Sequence, residues 1–123
     1  MIQGAVSGNS EAIIRLTLRA AAGVMQEIDA IIDTGFTGDL TLPPALIRRL
    51  NLPWKGRGRA LLADGGMHTF DEYVGTVLWN GQSLTVEVSS ADTNPLVGMG
   101  LLRGHRLSMD VIENGAVTIE ALT

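Results

Sequence analysis

The pattern of hydrophobic and polar positions predicts short strands along almost the whole chain. Ala12–Arg19 alternates apolar and polar residues from Ile14 onward, which is typical of a half-buried strand. Ala21–Gly23 is a plausible turn, so Val24–Ile32 is predicted as the returning strand. The other predicted strands are Asp39–Leu42, Arg57–Ala63, Met67–Tyr73, Val74–Trp79, Leu84–Val88, Leu107–Ile112 and Ala116–Ala121.

Turn signals and helical spacing complete this pattern. Asp64-Gly65-Gly66 and Asn80-Gly81 are typical hairpin turns, because these residues accept left-handed backbone conformations. A short helix is predicted over Ala45–Leu50 after two prolines, which are tolerated in a first helical turn, and a second over Met99–Arg103. Eight to ten short strands with two short helices predict an all-β barrel or sandwich, in one domain spanning residues 1–123.

Composition excludes several classes of protein. Hydrophobic residues make up 46% of the 123 residues and charged residues 18%, so a packed core is expected. The chain has no cysteine, which excludes disulfides, thiolate metal sites and a cysteine nucleophile. It has no long apolar run and no signal peptide pattern, and its net charge of −4 argues against nucleic acid as the main partner. We therefore expect a cytoplasmic protein with neither a nucleic-acid nor a membrane partner.

One short motif could carry chemistry. Asp33-Thr34-Gly35 follows the apolar end of a predicted strand, where nearby apolar surface raises the cost of a charged carboxylate. The threonine hydroxyl could fix the loop and the glycine leaves its N–H accessible, which suits a carboxylate used for proton transfer. The alternative is a plain turn, since all three residue types favour turns.

The chain also contains an internal echo of this segment. Ile31–Gly35 and Leu96–Gly100 share an apolar pair, then a small or acidic residue, then any residue and a glycine. Each precedes a short segment compatible with a helix. The two halves of the chain therefore look like divergent copies of one unit.

These motifs together resemble the retropepsin-like aspartic proteases, especially their small bacterial members. The resemblance runs from about Ala12 to Leu122. It rests on Ile31-Ile32-Asp33-Thr34-Gly35-Phe36-Thr37-Gly38, on Leu40-x-Leu42-Pro43, on Ala63-Asp64-Gly65-Gly66 in the flap position, and on Leu96-Val97-Gly98 before Leu101-Leu102. It implies a retropepsin-like closed β-barrel with one or two short helices, forming one half of a two-fold symmetric dimer.

The resemblance also implies an activity. Aspartic endopeptidases hydrolyse peptide bonds with a water activated by two carboxylates that share a proton. This chain has one Asp-Thr-Gly, so Asp33 from each subunit of a homodimer would supply the pair, with Thr34 bracing the two loops and Gly35 permitting their close approach. Activity would peak on the acidic side of neutral, and neither a metal nor an organic cofactor would be needed.

The resemblance assigns roles to two further regions. Leu62–Phe70 would form a flap over the peptide substrate, with Ala63, Asp64, Gly65 and Gly66 as its substrate-binding residues. Met1–Ser10 and Ala116–Thr123 would pair in a sheet between subunits. Phe36 departs from the alanine or serine of viral members, and we interpret it as core.

Other residues have simpler interpretations, and two other functions stay open. Lys55, Arg57 and Arg59 would share a solvated face, and neither His68 nor His105 has metal-site spacing. The same fold could act as a catalytically silent dimerisation or peptide-binding module. A small all-β interaction domain of another fold, with Asp33-Thr34-Gly35 as a turn only, is the third possibility.

Overall fold

The computed structural model describes residues 1–61 and 63–123, and this part of the chain is mainly β-structure. Its strands are β1 Ile2–Val6, β2 Ala12–Arg19, β3 Met25–Ile32, β4 Leu40–Leu42, β5 Trp54–Leu61, β6 Met67–Trp79, β7 Gln82–Ser90, β8 Leu96–Val97, β9 His105–Met109 and β10 Ala116–Ala121. Two short helices, α1 Pro44–Leu50 and α2 Met99–Leu102, confirm the two predicted ones. In the described residues, no helix is long and apolar enough to span a membrane.

All of these strands belong to one sheet. Their order is β5-β6-β7-β4-β8-β3-β2-β1-β10-β9, and β6 also pairs with β2. The pairing of β2 with β6 places Thr17 opposite Leu78 and Arg19 opposite Thr76. Six strands (β2, β3, β8, β4, β7 and β6) therefore follow one another in a closed ring of pairings.

The six strands of the ring contribute most of the core, and β2 shows how its sequence places apolar side chains there. Ile14, Leu16 and Leu18 are each only 1% exposed, whereas Arg15 and Arg19 between and after them are exposed. Alternate side chains of a strand point to opposite faces, so the pattern in the sequence buries one face of β2 completely. Each such side chain contributes about 1.5–3 kcal/mol by leaving water. The other fully buried large side chains are Leu40, Leu42, Val77, Val88, Val97, Val117 and Ile119.

Helix α1 forms as the sequence predicts. Pro44 occupies its first turn, and Leu46, Ile47 and Leu50 form its buried face. The helix ends where Asn51 adopts a left-handed conformation with φ 52°, and the Asn51 N–H donates to a carbonyl of the last turn.

Strand β6 corrects one prediction. The two strands expected at Met67–Tyr73 and Val74–Trp79 are a single continuous strand of 13 residues. Its first half pairs with β5, and its second half pairs with β2. Gly75 lies within this continuous strand and is buried against Val88, where a side chain would collide.

The chain ends give a second correction. β1 pairs with β10, as the resemblance implied, but both strands belong to one chain rather than to two subunits. β1 also pairs with β2 from Gly4 onward, and β10 pairs with β9 on its other side. Within residues 2–6 and 116–121, neither strand therefore keeps a full free edge for a sheet between subunits.

A hydrogen-bonded aromatic pair closes the end of β6 that lies farthest from the hairpin. The Trp79 indole N–H donates to Nε2 of His105 at 3.2 Å, and the rings meet edge to face with centroids 5.7 Å apart. Nδ1 of His105 lies 2.9 Å from the carbonyl oxygen of Arg103, which fixes that nitrogen as the donor. Trp79 is buried, so this contact satisfies the only polar atom of its side chain.

We predict that His105→Leu lowers the free energy of unfolding by about 1–3 kcal/mol, because the buried Trp79 N–H loses its acceptor. Urea unfolding followed by circular dichroism measures the change. His68→Leu is the matched control, since His68 lies exposed on β6. Equal unfolding free energies for the two variants would contradict a structural role for the Trp79–His105 hydrogen bond.

Candidate active site

Asp33, Thr34 and Gly35 form a tight turn at the end of β3. The Gly35 N–H donates to Oδ1 of Asp33 at 3.0 Å, and the Phe36 N–H donates to the carbonyl oxygen of Asp33 at 3.1 Å. The aspartate side chain therefore closes its own turn, as aspartate commonly does. Asp33 is half-buried, while Thr34 and Gly35 are exposed, so all three residues are accessible from outside the protomer.

Strand β8 fixes this turn from the side. β3 and β8 pair in parallel, with Ile31 opposite Leu96 and Ile32 opposite Val97. The Asp33 N–H donates to the carbonyl oxygen of Val97 at 2.8 Å, which extends the pairing into the turn. The two segments that echo each other in sequence are thus neighbours in space.

Phe36 lies between the two segments, and its position requires glycine at residue 98. The Met99 N–H donates to the carbonyl oxygen of Phe36 at 2.7 Å, which brings α2 against the loop. A Cβ atom at Gly98 would overlap the Gly38 carbonyl and the Phe36 ring, and it would lie 2.7 Å from the Phe36 carbonyl oxygen. Phe36 is half-buried and lines a cavity, so its interpretation as a core residue was incomplete.

Two cavities of about 510 Å³ each flank the turn. The first, here called the Asp33 cavity, is lined by Ser10, Glu11, Ala12, Ile31, Ile32, Asp33, Thr34, Thr93, Asn94, Leu96 and Met109. The second, here called the hairpin cavity, is lined by Gly35, Phe36, Thr37, Gly38, Arg59, Ala60, Leu61, Phe70, Glu72, Glu87 and Ser89. Asp33 and Thr34 thus face one cavity and Gly35 the other.

The hairpin of β5 and β6 forms one wall of the hairpin cavity. Its turn contains Asp64, whose Oδ1 accepts a hydrogen bond from the Gly66 N–H at 2.8 Å, and Gly65 with φ +84°. The predicted flap therefore exists as a hairpin over its described residues, and Leu62 lies outside them. The predicted substrate-binding residues Ala63, Asp64, Gly65 and Gly66 are exposed at the tip and do not line the cavity.

Sequence reasoning missed the charged side chains of this cavity. Arg59, Glu72 and Glu87 line it, whereas the sequence had suggested only a solvated basic face for β5. The signal was the alternation of Gly56 and Gly58 with basic residues. Gly58 lies opposite Phe70 and Gly56 opposite Glu72. A side chain at Gly58 would collide with both the Phe70 ring and the Glu72 carboxylate, so Gly58 is the glycine that leaves room for these two larger side chains.

An ion pair joins the base of the hairpin to β7. Nζ of Lys55 donates to Oε1 of Glu87, and this hydrogen bond raises the pKa of Lys55 above that of an ordinary lysine. The charges of Glu87, Glu72 and Asp39 raise it further. A raised pKa means that the ion pair is complete at neutral pH and is lost only under strongly alkaline conditions.

The described residues include no group of three or more histidine, aspartate or glutamate side chains that could hold a metal ion. No protein-family model matches the sequence, and no curated protein matches it significantly. A comparison of structures does find a match, the crystal structure of a retropepsin-like aspartic protease from Rickettsia conorii. The two chains superpose with a TM-score of 0.61 and 17% sequence identity, over 99% of this chain and 91% of the other.

This match defines the class of fold. An all-β chain with two short helices, an Asp-Thr-Gly turn and a parallel β8 beside it superposes along its length on a retropepsin-like aspartic protease. The chain therefore has the retropepsin-like fold, as its motifs had suggested.

We predict that Gly98→Ala destabilises the protein by about 1–3 kcal/mol, because the new methyl group has to displace the Phe36 loop. Gly98 has φ −103°, which alanine adopts readily, so the cost comes from the collision alone. Thermal and urea unfolding measure it. Gly8→Ala is the matched control, since its Cβ would meet only the end of the exposed Glu113 side chain, at 3.3 Å. A Gly98→Ala variant as stable as the Gly8→Ala variant would contradict this packing.

Proposed function

We propose that the protein is an aspartic endopeptidase, active as a homodimer in which Asp33 of each subunit contributes one carboxylate. The observation that carries the proposal is the Asp33 turn itself, built at the end of a strand of the retropepsin-like fold and accessible from the Asp33 cavity. One protomer supplies one such aspartate, so two-fold symmetry is the simplest way to bring two together.

In this proposal, each residue of the turn has a distinct task. The paired Asp33 carboxylates share one proton, so that one takes a proton from the attacking water while the other donates to the peptide carbonyl. The Gly35 N–H bonded to Oδ1 orients each carboxylate, and this bond already exists in the single protomer. Thr34 is exposed beside Asp33, where its hydroxyl is free to bond with the facing loop.

The residues around the Asp33 cavity support a dimer interface on the side of the protomer that carries Asp33. Ile31, Ile32, Leu96 and Met109 are only half-buried there, although they are apolar. Beyond Met109 the chain continues into Val111 and Ile112, which are 65% and 69% exposed. A second copy covering this side would remove apolar surface from water and bring the two Asp33 turns together. Because β1 and β10 pair within one chain, we assign the interface to this surface instead of to the chain ends.

The hairpin cavity is the proposed site for the peptide. It is bounded by the Gly35–Gly38 loop on one side and by the β5–β6 hairpin on the other. An extended peptide could lie along the loop with its scissile bond at the turn and its side chains in the cavity. The hairpin would cover it and exclude water.

We predict that Asp33→Asn lowers the rate of peptide cleavage at least about 10³-fold, since an amide cannot exchange the proton that the mechanism needs. The wild type should show a bell-shaped pH profile centred below neutral pH. Cleavage of a fluorogenic peptide library, with inhibition by pepstatin as a criterion, measures both. Size-exclusion chromatography should show an unchanged dimer.

Undiminished cleavage by Asp33→Asn would remove this residue from the mechanism. Saturable peptide binding by the wild type with no turnover would favour the catalytically silent binding module instead. A strict monomer at high concentration would leave the proposed site incomplete.

We predict that Ile112→Asp converts the dimer to a monomer and abolishes cleavage, because a charge would enter the apolar interface. Sedimentation velocity measures the oligomeric state. Val24→Asp is the matched control, since Val24 is similarly exposed, at 65%, but lies before β3 at the opposite end of that strand from Asp33. A dimer that persists in Ile112→Asp would overturn the assignment of this surface.

A further inference from the structure

The hairpin cavity carries opposite charges that do not neutralise each other. Arg59 of β5 and Glu72 of β6 both line it. Among residues 1–61 and 63–123, no ion pair includes either side chain, with 4.0 Å as the limiting N–O distance. Glu87, the second carboxylate of the lining, is paired with Lys55. Among the described residues, Glu72 is thus the lining carboxylate that forms no ion pair within 4.0 Å.

The position of Glu72 makes its charge effective. Its carboxylate lies directly over Gly58, so close that any side chain at position 58 would displace it. Phe70 lies over the same glycine, and its ring therefore flanks the carboxylate with apolar surface. Glu72 is half-buried, whereas Arg59 is exposed. Water and salt therefore screen Arg59 more strongly than Glu72.

The surroundings of Glu72 are negative. The hydrogen bond that Lys55 donates to Glu87 is the main cause of the raised pKa of Lys55, and Glu72 and Asp39 raise this pKa further through their charges. Asp39 is fixed nearby, since its Oδ2 accepts the backbone N–H of Glu87 at 3.0 Å. Three carboxylates (Glu72, Glu87 and Asp39) thus lie in or near this cavity with two cations (Lys55 and Arg59), so negative charge is in excess.

We infer that Glu72 is a specificity-determining residue, which binds the positively charged side chain of a lysine or arginine in an extended peptide held in the hairpin cavity. The inference rests on the proposed function, which makes a peptide the occupant of the hairpin cavity. It adds the chemistry of the side chain that the cavity selects. Gly58 contributes to this binding site, because its lack of a side chain leaves space for the Glu72 carboxylate against the strand.

Peptide binding to the Asp33→Asn variant tests this inference without turnover. The probes are fluorescent decapeptide mixtures in which one scanned position is fixed as Lys, Gln or Glu and every other position is uncharged. At one position we expect the Lys peptides to bind about fivefold to tenfold more tightly than the Gln peptides, measured by fluorescence anisotropy at low salt. The additional change Glu72→Gln should bring this ratio to about one while leaving the Kd of the Gln peptides unchanged.

Glu120→Gln is the matched control. Glu120 lies on β10, outside the cavity, and forms an ion pair with Arg106 on β9. It should leave the Lys preference intact, and Glu72→Lys should reverse the preference in favour of Glu peptides. A Lys preference that survives Glu72→Gln, or no preference or no binding at any scanned position, overturns the inference.

These results are separable from the proposed function. If wild-type protein cleaves nothing but the Glu72-dependent preference is present, the endopeptidase proposal fails and this inference stands. If cleavage requires Asp33 but Lys, Gln and Glu peptides bind equally, the endopeptidase proposal stands and this inference fails.

Discussion

The candidate site depends on the parallel pairing of β3 with β8. This pairing extends past the strand ends through the hydrogen bond from the Asp33 N–H to Val97, and α2 then binds the carbonyl of Phe36 through the Met99 N–H. A turn with an exposed threonine and glycine would otherwise be mobile, because little of it is buried. The pairing instead holds the Asp33 carboxylate at a defined place on a rigid sheet, where a facing copy could meet it. Glycine at position 98 is the steric condition for this arrangement.

The turn also divides the surface of the protomer into two regions with different chemistry. The Asp33 cavity is bordered by half-buried apolar side chains and is suited to contact with a protein surface. The hairpin cavity mixes aromatic and charged side chains and is suited to an extended polar chain. A single short segment, residues 33–38, contributes to both. Association of two copies and binding of a peptide would therefore be coupled through the same few residues.

Much of the fold could be predicted from the sequence because its elements are locally encoded. β2 and β10 have the predicted bounds, since both contain an alternation of apolar and polar residues over at least five positions, which is typical of a strand. β8 was missed because two residues are too few for any periodicity, and its pairing with β3 is a property of the tertiary structure. The Asp33 turn could be found because its residue types and its apolar approach are adjacent in the chain. Glu72 and Arg59 could not, because their place in a cavity depends on the register between β5, β6 and β7.

Strand β6 has a mechanical consequence for the hairpin. The strand runs without a break from Met67, next to the hairpin tip, to Trp79 in the core, while its partner β5 carries an irregularity between Trp54 and Gly56. One strand of the hairpin is therefore continuous with the core and is buried at Gly75, so the hairpin is not a lid attached through two flexible hinges. Any swing of its tip has to bend a continuous strand, and the irregularity in β5 is where the neighbouring strand can take up the difference in length.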